Sequence, residues 1–173
     1  MPGVFEKLHI RLLDNYGLQV DLDPPAMSMP QHLLRANKQW LERRLRALGL
    51  RCGDALQYTD GTLLVPRFDR RRMAGVIERH GMESAYSLMG VVEPGAQLVF
   101  EDLCVQLARF VDQPQRDVLE LVLRDAAALA LGNPDNHGRN TSLLKHEGGR
   151  VELSPVYDFA PMFLDPDLIT RQT

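Results

Sequence analysis

The sequence predicts an α+β fold in which short β-hairpins alternate with amphipathic helices, the second half being mostly helical. Three observations carry that expectation. Apolar residues recur at helical spacing over Glu101–Phe110 and again over Gln115–Leu131, with Pro114 where the second run begins. Asp60-Gly61, a type I′ turn signal, separates the strand-like runs Ala55–Thr59 and Thr62–Phe68. Glu147-Gly148-Gly149 separates Thr141–Leu144 from Arg150–Leu153 in the same manner.

The remaining elements follow in chain order. Residues 1–30 are poorly patterned, with one strand-like stretch at Leu8–Leu13 and loop signals at Asp23-Pro24-Pro25 and Ser28-Met29-Pro30. From Gln31 to Leu48 the residues Leu33, Leu34, Trp40, Leu41, Leu45 and Leu48 fall at helical spacing, and Gly49 supplies a stop. The segment 73–98 is mixed, with a short helix expected around Met82–Met89. The chain is therefore read as a poorly patterned 1–30 segment followed by a 31–173 core.

Composition narrows the function classes. At 173 residues and 45% hydrophobic, the chain can bury one core. A net charge of -3 gives no global basic footprint, so no direct nucleic-acid contact is expected. Lysine is scarce: Lys7, Lys38 and Lys145 are the only ones among 20 basic residues, which leaves few candidates for a phosphate contact. Cys52 and Cys104 are far apart and read as reduced thiols. No apolar run approaches the length of a membrane span, and the N-terminus lacks a signal-peptide pattern; a cytoplasmic, membrane-free protein is expected.

The stretch with chemical content is Asp135-Asn136-His137-Gly138-Arg139-Asn140-Thr141-Ser142. It reads D-x-H-x-x-N-x-S, and a strand-turn-strand later comes Asp158, in Tyr157-Asp158-Phe159. An Asp, an Asn five positions on, and a second Asp past a hairpin form the spacing of a phosphoryl-transfer site. Asp135 can orient a hydroxyl nucleophile, while Asn140 and Asp158 can hold Mg²⁺ against nucleotide phosphates. His137 is placed with Asp135 among the catalytic residues, as a proton acceptor or metal ligand or as a loop residue that supports Asp135, and Arg139 fits either phosphate neutralisation or a solvated loop. Arg67, Asp69 and Arg70 read as an ion-pair cluster at a strand end. The other histidines give no Cys/His cluster, which argues against zinc. Neither a nucleophile elbow nor a P-loop is present.

Taken together, the stretches Leu63–Arg70 (LLVPRFDR), Phe100–Cys104 (FEDLC), Gly132–Leu144 (GNPDNHGRNTSLL) and Leu153–Pro161 (LSPVYDFAP) resemble, in this order, the HipA family of kinase-like toxins. The resemblance covers roughly residues 31–173. It implies a protein-kinase-like fold, with this chain supplying a mostly helical C-terminal lobe, short hairpins and part of the hinge. It further implies ATP- and Mg²⁺-dependent phosphorylation of a protein Ser or Thr, targets that include the translation apparatus, and opposition by a small helix-turn-helix antitoxin. By position, Asp135 matches the catalytic Asp, Asn140 and Asp158 the metal-binding pair, and Arg67-Phe68 the hinge beside the adenine. Pro66 has no N–H to offer there.

The chain departs from the family at its ends. No Gly-rich phosphate loop and no strand Lys are found; Lys7 is the only Lys ahead of the predicted helix, in a weak context. The helices that follow the activation segment are also not found. The chain is expected to be the middle of a family member cut at both ends. Exposed apolar patches, marginal stability or association with another chain should follow, and the fragment by itself is expected to be inactive. Two other readings stay open: a small-molecule phosphotransferase of the aminoglycoside- or choline-kinase kind, and a non-catalytic remnant that binds an antitoxin-like partner.

Overall fold

The structure, a computed structural model, describes residues 18–22, 38, 40–59, 62–93, 96–133 and 136–160. Strand β1 (Leu18–Leu22) is followed by helix α1 (40–47) and by strands β2 (Gln57–Thr59) and β3 (Thr62–Pro66). Next come β4 (Arg70–Met73), β5 (Val76–Arg79), β6 (Gly81–Ser84) and the short helix α2 (Ala85–Leu88). Helices α3 (Phe100–Phe110) and α4 (Pro114–Ala130) lead to the hairpin β7 (Ser142–Lys145) and β8 (Val151–Leu153). The strands form three small antiparallel sheets, ordered β1-β3-β2, β4-β5 and β6-β7-β8.

The α3 and α4 expectations hold to within a residue or so at each end. In α3, Glu101 and Asp102 lie in the first turn and Arg109 in the last, complementing the helix dipole. Pro114 opens α4, where its missing N–H costs nothing. Gly132 closes α4 at φ 68 in a Schellman arrangement. Asn133 N–H donates to Ala128 O at 2.8 Å and Gly132 N–H to Leu129 O at 3.4 Å. That cap turns the chain directly into the 133–142 loop.

Three elements differ from expectation. Strand β1 falls in the poorly patterned 1–30 segment and exists because β3 offers it a ladder, Leu18 opposite Pro66 through Leu22 opposite Thr62. Hairpin β4-β5 turns at Ala74-Gly75, both at positive φ; its strands are largely solvent-facing, so they carry little apolar alternation to read. The helix expected around Met82–Met89 is a strand, β6, followed by one helical turn. Ser84 caps that turn by accepting from Ser87 N–H at 3.2 Å. Leu8–Leu13, Asp60-Gly61 and residues 31–37 of the predicted first helix lie outside the described residues.

Two apolar clusters hold the molecule together. The larger packs Leu103 and Leu107 of α3 and Leu121 of α4 against Leu143 and Leu153 of the β7-β8 hairpin, with Ala85 beneath. The smaller joins Leu45 and Leu50, at the end of α1, to Ala127 of α4, with Val156 and Phe159 against it.

Helix α4 is amphipathic in an unusual sense. Its buried face includes Asp117, fully buried, with Glu120 and Arg124. Its exposed face carries Leu119, Val122, Leu123 and Leu129. The apolar exposure expected from the sequence is thus present on α4, and at Val105 and Phe110 of α3.

The buried charges are paired. Arg51 Nη2 donates to Asp117 Oδ1 at 2.8 Å, Arg51 Nη1 to Glu152 Oε2 at 2.9 Å, and Arg51 Nε to Glu120. Arg124 donates to Glu120 and, at 2.6 Å, to the carbonyl of Ser154. Asp117 also accepts Leu153 N–H at 3.1 Å and Arg116 Nε at 2.9 Å. Burial pushes the Arg124 guanidinium down from its ordinary value, opposed by Glu120. A buried charge is tolerated only when fully partnered, so each of these groups depends on the others.

Arg51→Met leaves Asp117, Glu120 and Glu152 short of a cation. We expect a loss of about 3 kcal/mol of folding stability in denaturant titration; a change within ~0.5 kcal/mol would contradict this assignment. Glu152 supplies a pH signature. Burial acts to raise its carboxyl, but the His146 hydrogen bond and Arg150, Arg116 and Arg51 outweigh it, holding the group below its ordinary 4.5. A depressed carboxylate stabilises the fold above its unfolded pKa, and that stability is lost as pH falls through the folded value. Thermal melting of Glu152→Gln should therefore be lower at neutral pH and flatter below about pH 5. A slope identical to the wild type would exclude Glu152 as a source.

Candidate active site

Residues that end α1 and follow β8 meet at one cavity. Val156 N–H donates to Arg51 O at 2.7 Å, and Cys52 bridges Val156 in parallel register. Glu42, on α1, accepts Leu56 N–H at 2.9 Å, and Arg46 one turn on pairs with Glu42 at 2.6 Å and donates to Gly53 O. The 52–56 loop is thus held from both sides. Above it stand Leu63, Val65 and the Pro66-Arg67-Phe68 turn; below it run Val156 to Phe159.

The cavity is about 300 Å³ and is lined chiefly by apolar side chains, among them Leu56, Leu63, Val65, Phe68 and Val156. Polar groups stand at a few points only: Lys38, Glu42, Asp54, Arg67 and Asp158. An apolar slot with few charged groups is the usual build of a small-molecule site. Burial pushes the Cys52 thiol up from its ordinary value, which marks the floor as poorly solvated.

Asp158 lies in the left-handed region at φ 51, uncommon for a residue with a side chain. Its carboxylate accepts from Lys38 Nζ at 3.0 Å. Tyr157, just before it, is pinned from two sides. Its hydroxyl lies 2.6 Å from Ser142 Oγ and donates to the carbonyl of Arg139, and its ring contacts Phe68 at 5.5 Å. Burial raises the Tyr157 phenol, with the Asp158 charge adding to it, so the hydroxyl stays protonated and serves as a donor.

The 136–142 loop is fixed by short-range contacts. Asn136 Nδ2 donates to Asp125 Oδ1 on α4 at 3.1 Å. His137 stacks on Tyr86, and its Nδ1 accepts Arg139 N–H at 3.3 Å, so the neutral ring carries its proton on Nε2. Asn140 N–H donates to His137 O at 2.9 Å. Gly138 is buried under the Tyr86 ring: a Cβ there would lie 2.4 Å from Tyr86 Cδ1 and 2.8 Å from Leu98 Cδ1.

The sequence-derived site residues therefore distribute as follows. Arg67, Phe68 and Asp158 line the one cavity. Asn140 does not line it, but lies between Arg139 and Ser142, the residues that Tyr157 binds. His137 is engaged in loop packing. Asp135 lies outside the described residues. The Arg67-Asp69-Arg70 cluster is present, with Arg67 bidentate on Asp69 at 2.5 and 2.6 Å and Arg70 at 3.8 Å. Lys38 was given no particular role by the sequence beyond being one of three lysines; its place one turn ahead of Glu42 is a further signal that could have drawn attention to it. Among the described residues, no group of three or more His, Cys, Asp or Glu side chains could hold a metal. A single carboxylate with an amide is instead the donor set Mg²⁺ uses when phosphate oxygens and water complete its shell.

The fold is that of the kinase-like class. The structure matches HipA of Shewanella oneidensis MR-1, solved with HipB and its operator DNA, at a TM-score of 0.72 and 20% identity, over 88% of this chain and 39% of that one. It matches the Helicobacter pylori proinflammatory kinase CtkA at a TM-score of 0.58 and 16% identity, over 83% of this chain and 51% of that one. A curated relative, "Putative kinase Y4mE" of Sinorhizobium fredii, is 34% identical over 113 residues, or 61% of this chain and 26% of that protein. The chain thus spans about a quarter of the length of that relative. A family model described as the HipA-like C-terminal domain matches residues 31–171, and the chain belongs to that family. No helix among the described residues is long and apolar enough to cross a membrane.

Gly138→Ala should cost about 1–3 kcal/mol, because the Tyr86 ring and Leu98 must shift to admit one methyl group. Chemical denaturation measures this; a variant as stable as the wild type would show that the loop can open without cost.

Proposed function

We propose that this chain is the nucleotide- and metal-binding part of a HipA-like serine/threonine protein kinase, the toxin of a toxin–antitoxin pair. The observation that carries this reading is Asp158, held in left-handed backbone at the mouth of a cavity otherwise lined by apolar residues and the Arg67-Phe68 turn. Such strain persists where the surroundings over-determine it, and it is common at ligand clamps.

In this reading the apolar slot takes adenine beside Arg67-Phe68. Asn140 and Asp158 would hold Mg²⁺, which neutralises charge on the transferring phosphoryl group. Asp135 orients the substrate hydroxyl and accepts its proton. The hydroxyl oxygen bonds to the γ-phosphorus as the bond to the β-phosphate oxygen breaks, leaving ADP and a phosphorylated Ser or Thr. His137 stiffens the loop that presents Asp135. The HipA neighbour was solved with HipB of its toxin–antitoxin system and operator DNA, which supports an antitoxin as partner here; the helix-turn-helix type of that partner is part of the proposal. A protein of the translation apparatus is the proposed substrate class, and the cytoplasm the proposed location.

Calorimetry with Mg²⁺-ATP tests this. The wild-type chain should bind, and Asp158→Ala should weaken ATP binding by roughly tenfold or more while removing its Mg²⁺ dependence. Absence of binding by the wild-type chain, or an Asp158→Ala variant that binds as the wild type does, would reject the assignment.

A further inference from the structure

Two cationic side chains line the cavity, Lys38 and Arg67. Arg67 is committed to a bidentate pair with Asp69, which is itself buried. Lys38 is held differently. Its Nζ reaches across the cavity to a residue 120 positions away and meets Asp158 Oδ1 at 3.0 Å. The lysine side chain is 18% exposed and the carboxylate 57%, so the ammonium stands inside the mouth while Asp158 faces outward. An ion pair this exposed adds little to stability. Yet it is made by a carboxylate on strained backbone, in the cavity, by the one lining cation not bound to a neighbour in sequence.

Resting on the nucleotide reading above, we infer that Lys38 is the lysine that meets the nucleotide's phosphates, and that Asp158 is its partner when nucleotide is absent. The cation is then supplied by a helical residue one turn ahead of Glu42, not by a strand. The ammonium has three donors on a flexible four-carbon stem, so it can leave one acceptor for another nearby without backbone movement. With the Asp158 charge taken up by a bound divalent cation, the Lys38 ammonium would donate to phosphate oxygens in place of that carboxylate.

The test separates this inference from the nucleotide reading. Affinities of adenosine and of Mg²⁺-ATP are measured by calorimetry for the wild type, Lys38→Met and Lys38→Arg. Adenosine should bind the wild type and Lys38→Met alike. Mg²⁺-ATP should bind Lys38→Met roughly tenfold more weakly or worse, with partial recovery in Lys38→Arg. Equal ATP affinity in the wild type and Lys38→Met, with adenosine still bound, would overturn the role of Lys38 and leave the nucleotide reading standing. Failure of the wild type to bind either ligand would overturn both. A second measurement needs no variant: acetylation of Lys38 in the wild-type chain, followed by mass spectrometry, should be slowed by Mg²⁺-ATP and not by adenosine. Equal labelling with the two ligands would also overturn the inference.

Discussion

The guanidinium of Arg51 sits among three carboxylates, Asp117 and Glu120 from α4 and Glu152 from β8. Asp117 and Glu120 are buried and Glu152 is partly buried. Desolvating such charges costs several kcal/mol per ion unless geometry and hydrogen bonds compensate, so each carboxylate is held by more than one cation, Arg51 being the one common to all three. The same residue that neutralises the α4 carboxylates also fixes the chain in space, because its carbonyl accepts from Val156. The ion network on one side of Arg51 and the cavity floor on the other are parts of a single contact.

This explains why the two halves of the cavity stay in register. The 52–56 loop hangs from Arg51 and is caught by Glu42 and Arg46 of α1. The 156–159 segment runs beside it and is caught by Tyr157, which reaches the Arg139 carbonyl and the Ser142 hydroxyl. Asp158 lies between Tyr157, held by those hydrogen bonds, and Phe159, packed on the smaller apolar cluster, and it keeps a positive φ there. The strain is paid for by the packing of Val156 and Phe159 into the smaller apolar cluster, which shares Ala127 with α4.

Much of this was legible in the sequence and some was not, for physical reasons. Helices α3 and α4 and the β7-β8 hairpin announce themselves by local period, caps and turn residues, and the strand-turn-strand step from Asn140 to Asp158 follows from them. Arg67-Phe68 could be placed at a strand end for the same reason. By contrast, Arg51 lies in a short run of loop residues and looks like any solvated arginine; its partners are 66, 69 and 101 positions away. Asp117, Glu120 and Arg124 carry no local sign of burial, because burial of charge is decided by tertiary pairing and not by period. The Lys38–Asp158 pair is hidden on the same ground. Strand β1 depends on a partner rather than on its own pattern, and β4-β5 has almost no buried face to reveal it.

The Arg51 network sets the position of the 52–56 and 156–159 segments that line the cavity proposed to take nucleotide, while Arg51 itself is not among the lining residues. The direct test is the adenosine dissociation constant of Arg51→Lys, which keeps the charge but cannot reach three carboxylates at once. The expected result is a folded variant with adenosine binding weakened by roughly fivefold or more, since the Arg51 backbone, which carries Cys52 and accepts Val156 N–H, loses part of the ion network that fixes it. A folded Arg51→Lys protein that binds adenosine as tightly as the wild type would contradict it.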